Sequence, residues 1–161
     1  MKRESSGIIS LVVVALMAVA CNRNPSAAVI PVPPEILSAP NEIVVGTTEL
    51  RLTTSLWRNF QPSPSPDTRL FAQLRIESPA GGVVPSGLQI DKAWLVLGDE
   101  AWISIPRPEA PPSTPNSVEY MSRGGPEWPI GGLVTAVIQL RDANNNVSLL
   151  RAAPQAVGRV D

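Results

Sequence analysis

Ala93-Trp94-Leu95-Val96-Leu97-Gly98-Asp99-Glu100-Ala101-Trp102-Ile103-Ser104-Ile105 is the stretch that decides the fold. An apolar run, a Gly-Asp-Glu turn and a second run rich in Trp and Ile make a β-hairpin. β-Branched and aromatic side chains fit a pleated surface, and glycine relaxes the turn. Residues 93–97 are apolar on both faces, so the first arm reads as a central strand.

On both sides of this hairpin the hydrophobic period stays at two. Leu50, Leu52, Thr54 and Leu56 share one face, opposite Glu49, Arg51, Thr53 and Ser55. Leu70, Ala72, Leu74 and Ile76 alternate with Phe71, Gln73, Arg75 and Glu77. Val134, Ala136, Ile138 and Leu140 form one face of a strand over residues 133–141. Asp142-Ala143-Asn144-Asn145-Asn146 turns the chain, and residues 147–152 return. Short strands near residues 43–45 and 117–121 bring the set to about seven to nine.

No stretch after Cys21 sustains a helical period, and 18 prolines break the other candidates. Evenly spaced strands without helices predict an all-β fold, a two-sheet antiparallel sandwich over residues 41–161. A small open β-barrel is the alternative. The strand pattern resembles immunoglobulin-like and fibronectin-type modules of bacterial surface proteins. The paired cysteines of antibody domains are missing, and Trp94 stands where a central-strand Trp is expected.

Ahead of the domain, Lys2 and Arg3 precede an apolar run over residues 8–20. That run is shorter than the ~20 residues of a spanning helix, and small residues close it. Residues 1–20 therefore read as a signal peptide. Ala18-Val19-Ala20-Cys21 resembles the lipobox of bacterial lipoproteins, with Ala18 where that family prefers Leu. The resemblance implies cleavage before Cys21, then lipidation and N-acylation of that residue. Cys21 is the only cysteine, and a lone thiol in an exported chain is accounted for if a thioether consumes it. In the same pattern, Asn22 rather than Asp after the cysteine implies the outer membrane where there are two membranes. Residues 21–40, with prolines at 25, 31, 33, 34 and 40, read as an extended tether of tens of ångströms.

The chemical inventory is thin. Histidine is absent, so catalytic triads and cysteine-protease pairs are excluded, and tetrahedral zinc sites nearly so. Lys92 is the only lysine after Lys2, with no serine three residues upstream for a Ser–Lys dyad. The net charge is −1 and no basic patch stands out, which argues against nucleic acid. The loop from Asp142 begins like an EF-hand, but Val147 replaces the sixth-position Gly and Ala153 the twelfth-position Glu. No cofactor and no metal is expected.

Two proline-rich loops, residues 61–67 and 106–115, are read as guards of strand edges. The stretch Ser122-Arg123-Gly124-Gly125-Pro126-Glu127-Trp128-Pro129-Ile130-Gly131-Gly132 sets one Trp among glycines and prolines. Trp128 is expected either to plug the end of the sandwich, the favoured reading, or to anchor an interface with an Arg123–Glu127 ion pair. The expected function is a membrane-anchored, non-enzymatic binding or scaffolding module of the cell envelope, with a protein or glycan partner. A carboxylate-dependent hydrolase of cell-wall or exported glycans is the alternative. It would need two acids about 5–9.5 Å apart across one cleft.

Overall fold

The computed structural model describes residues 27–64, 66–109 and 114–161 of the chain. In chain order the elements are β1 (Val29–Pro31), α1 (Pro34–Leu37), β2 (Glu42–Val45), β3 (Thr48–Asn59), β4 (Leu70–Glu77) and β5 (Gln89–Leu97). Then follow β6 (Glu100–Ser104), β7 (Arg107–Pro108), β8 (Ser117–Gly125), β9 (Leu133–Arg141), β10 (Val147–Arg151), β11 (Gln155–Ala156) and β12 (Gly158–Val160). They form two sheets that do not close into a barrel, so the fold is a β-sandwich.

The first sheet runs β1-β6-β5-β9-β10, with β11 continuing β10's side of β9. The second runs β12-β3-β4-β8-β7, with β2 on the same edge of β3 as β12. All pairings are antiparallel except β12 with β3. The alternations read from the sequence are those that fill the core. Leu50, Leu52, Leu56, Leu70, Leu74 and Ile76 face Leu95, Val134, Ile138 and Leu140 across the sheets, all nearly inaccessible. The hairpin of residues 93–105 forms as expected, with Leu95 opposite Trp102 and Leu97 opposite Glu100, and its first strand is internal to the sheet.

Residues 27–40 differ from the extended tether expected of them. β1 pairs with β6, and one short helix, α1, follows with a proline at its first position. Ile36 and Ala39 are buried with Trp94, Val96, Ala101 and Val137 in a second cluster on the outer face of the first sheet. Trp94 is therefore buried, but away from the inter-sheet core; the tryptophans in that core are Trp102 and Trp128. Both faces of β5 are apolar because one meets the other sheet and the other meets this N-terminal strap. The Pro-containing stretch lacks a local period, so its placement comes from tertiary contacts: the edge of β6 and the apolar outer face of β5.

The start of the loop after β6 lies on the edge of the second sheet. Arg107 and Pro108 add two residues to β8, and Pro108 has no N–H to offer beyond them.

Candidate functional site

The edge of β3 that faces away from β4 is shared by two partners. β2 pairs with residues 48–51 and β12 with residues 57–59. Between them, residues 52–56 pair with β4 on one side and, among the described residues, with no strand on the other. Two crossings of the chain frame this gap. Residues 40–42 pass from the strap into β2, and residues 151–155 pass from β10 into β11; the Arg151 N–H donates to the Pro40 carbonyl at 2.8 Å. The result is a notch of about 490 Å³ lined by Glu42, Arg51, Leu52, Thr53, Thr54 and Arg151, among others.

The charges around the notch are already engaged. Arg51 holds Glu42 in an ion pair, with its Nε donating at 3.0 Å. Arg151 donates from Nε to the Asn41 side chain at 3.0 Å and from Nη1 to the Leu37 carbonyl. That hydrogen bond from Arg51, and then its charge, hold the Glu42 carboxyl below its ordinary 4.5. The pair's contribution is thus fully present above that value and is lost as pH falls through the lower, folded one. A carbon-detected NMR titration should place the Glu42 midpoint below 4.5, and Arg51→Ala should return it to the ordinary range. An unchanged midpoint in the variant removes Arg51 as the cause. What the notch offers a ligand is chiefly backbone. Among the described residues, the buried Thr54 hydroxyl has no hydrogen-bond partner.

Cys21 lies outside the described residues. Trp128, Arg123 and Glu127 do not converge on one surface. Trp128 is 6% exposed and belongs to the inter-sheet cluster, so it plugs the sandwich. The expected Arg123–Glu127 pair is not formed. Arg123 donates to Glu109 at 3.0 Å, whereas Glu127 accepts from the Thr68 hydroxyl at 2.6 Å and lies 3.9 Å from Arg58. The reason is a register shift between Leu70 and Phe71, where β8 ends in Gly124 and Gly125 and the chain turns toward the β3–β4 loop.

Arg58, which carries no sequence motif, is what holds that turn. Its side chain is 13% exposed. It donates to the carbonyls of Thr68 at 2.6 Å, Glu127 at 3.2 Å and Trp128 at 3.1 Å. Its guanidinium also lies over Phe60, 5.1 Å from the ring centre. Arg58→Ala should cost about 2 kcal/mol in urea denaturation, because it leaves partly buried carbonyls unpaired. Arg58→Lys should recover little of this, since an ammonium cannot reproduce the planar fork. Full recovery by lysine would show that charge alone is needed.

The remaining chemistry is sparse. The Asp142 carboxylate accepts from the Asn144 and Asn146 N–H groups, each at 2.8 Å, and from the Asn146 side chain at 2.9 Å. Those bonds, the Asn146 side chain's foremost, lower its pKa and close the loop on itself. Among the described residues no cluster of acids and cysteines could hold a metal ion. The notch has one carboxylate in its lining, and a cleft beside residues 29–37 has the adjacent Asp99 and Glu100 of one turn. The chain matches no family model, no curated protein and no solved structure.

Proposed function

We propose that the protein is a lipid-anchored envelope module, tethered through Cys21, whose sandwich binds an extended polypeptide segment in the notch of β3. The observation that carries this is the unpaired edge of residues 52–56, framed by two crossings. An exposed strand edge presents alternating N–H and C=O groups, and a guest strand satisfies them by β-augmentation. The crossings confine the guest to a short segment, which also protects the edge from open-ended pairing between copies. Hydrolysis gains no such support: the notch has one acid, and its pKa is lowered where a general acid needs a raised one.

Two measurements test this reading. The first concerns the anchor. Cys21→Ala should abolish acyl labelling and release the chain from membranes; unchanged membrane retention without lipid overturns the anchor. The second concerns the notch. A photo-crosslinking residue at Thr53, in the lipidated protein in its native envelope, should capture a polypeptide. A peptide from the captured region should then slow amide exchange of residues 52–56. Unaltered exchange, or equal capture from an exposed control position at Val83, overturns it.

A further inference from the structure

The docked strap changes where the anchor holds the domain. Cys21 stands six residues before Ala27, the first described residue. Six residues reach about 20 Å at full extension. Had residues 21–40 all been free, the reach would have been about three times greater. β1 runs antiparallel to β6 with Val29 opposite Trp102, so Ala27 enters beside the Ser104–Ile105 end of that strand. The attachment point is thus a flank of the sandwich.

That flank carries an apolar patch; Val44 and Leu133 are exposed elsewhere, but only this patch adjoins the point where the anchored chain enters. Ile105 is 77% exposed, more than any other large hydrophobic residue described, and Ile103 is 43% exposed beside it. Ile30, on the neighbouring strand, is 37% exposed. Arg107 and Arg123 line the same shallow cleft as Ile103 and Ile105. Arg107 is exposed and has no ion-pair partner among the described residues. The acidic pair Asp99 and Glu100 stands at the other end of β6, away from Ala27. Isoleucines with an adjacent arginine suit the interface of a bilayer, where apolar groups enter the acyl boundary and a cation meets lipid phosphate.

We infer that the flank built by β1, β6 and β7 rests on the bilayer, with Ile103 and Ile105 at the lipid interface. This rests on the Cys21 anchor proposed above and adds an orientation to it. β1 and β7 lie at one edge of the two sheets, and β10, β2 and β12 at the other. The notch is framed by residues 40–42 and 151–155 on that second side. Docking through the first flank therefore turns the notch away from the membrane, toward any partner in the aqueous space.

The test uses the lipidated full-length chain in vesicles of phosphatidylethanolamine and phosphatidylglycerol. With Cys21 consumed by lipid, Ile105→Cys supplies the one free thiol for a nitroxide, and Ala153→Cys supplies a label at the notch. Ile105 and Ala153 are both exposed, so neither change disturbs packing. The ratio of collisions with oxygen to collisions with an aqueous nickel chelate should be several-fold higher at 105 than at 153. Equal ratios, in protein that floats with the vesicles, overturn the orientation while leaving the anchor intact. Protein that stays unacylated and fails to float removes the anchor, and this inference with it. Ile105→Asp with Ile103→Asp in the labelled Ala153→Cys chain gives the independent check. The ratio at 153 should then rise, because the released domain tumbles on its tether and brings the notch into contact with the bilayer; an unchanged ratio overturns the role of the isoleucines.

Discussion

Replacing Trp128 with alanine should cost about 4 kcal/mol, the middle of the range for deleting a buried aromatic side chain. For a domain of this size that corresponds to a fall in Tm of about 12 °C or more. The magnitude follows from position. Trp128 is 6% exposed and sits in the inter-sheet cluster, together with Leu56 of β3, Leu70 of β4 and Val157 between β11 and β12. Its loop is fixed from two sides. Arg58 binds the carbonyls of Glu127 and Trp128, the Gly131 N–H donates to the Val157 carbonyl at 2.8 Å, and the Val157 N–H donates to the Gly132 carbonyl at 3.0 Å. The surroundings therefore have little freedom to collapse into the void. Trp128→Phe separates volume from polarity. The indole N–H is buried without a partner among the described residues, and an unpaired buried donor costs about 1–3 kcal/mol. Phenylalanine removes that donor while filling much of the space, so its net cost should stay below about 2 kcal/mol. An unchanged Tm in Trp128→Ala would return this residue to the surface role that its glycine-rich context also allowed.

The strands were legible because their signal is local. Leu70, Ala72, Leu74 and Ile76 alternate with polar residues and all four are inaccessible, so period two alone assigned their face. The strap was not legible in the same way. Pro31, Pro33 and Pro34 erase any local period, and the packing of Ile36 on Trp94 and Val96 is purely tertiary. An indirect signal existed: a strand apolar on both faces needs two covers, and the opposite sheet supplies only one. Arg58 left no signal, since one arginine in a strand cannot announce three carbonyls, two of which lie about seventy residues away. The notch is harder still. It is an absence of pairing between β2 and β12, fixed by where two distant segments stop. Residues 52–56 themselves read as an ordinary half-buried strand.

Gly125→Ala should destabilise the chain by about 3 kcal/mol, the upper part of the usual range for overpacking. The cause is space rather than backbone freedom. A Cβ at Gly125 would stand 2.6 and 2.7 Å from two ring carbons of Trp102 and 3.0 Å from the Leu70 Cβ. Trp102 is 5% exposed and belongs to the inter-sheet core, so its ring cannot move without disturbing that packing. Trp102 reaches from one sheet into the place where a side chain is missing on the other, so the two positions form one joint. A double-mutant cycle exposes the coupling. Trp102→Leu alone loses packing, but in the Gly125→Ala background it removes the clash as well, so the combined cost should fall short of the sum by at least about 1 kcal/mol. Additive costs would mean that the ring moves aside freely and that the joint is not tight. The neighbouring glycine separates the two mechanisms. Gly124 has φ of 81°, and the nearest atoms to its Cβ would be those of Arg69 at 3.5 Å, an ordinary contact. Gly124→Ala should therefore cost only about 1 kcal/mol, through the left-handed backbone, and Trp102→Leu should give it no relief. Adjacent glycines in one loop thus serve different needs: Gly124 turns the chain where β8 leaves its sheet, and Gly125 makes room for the Trp that closes the core behind it.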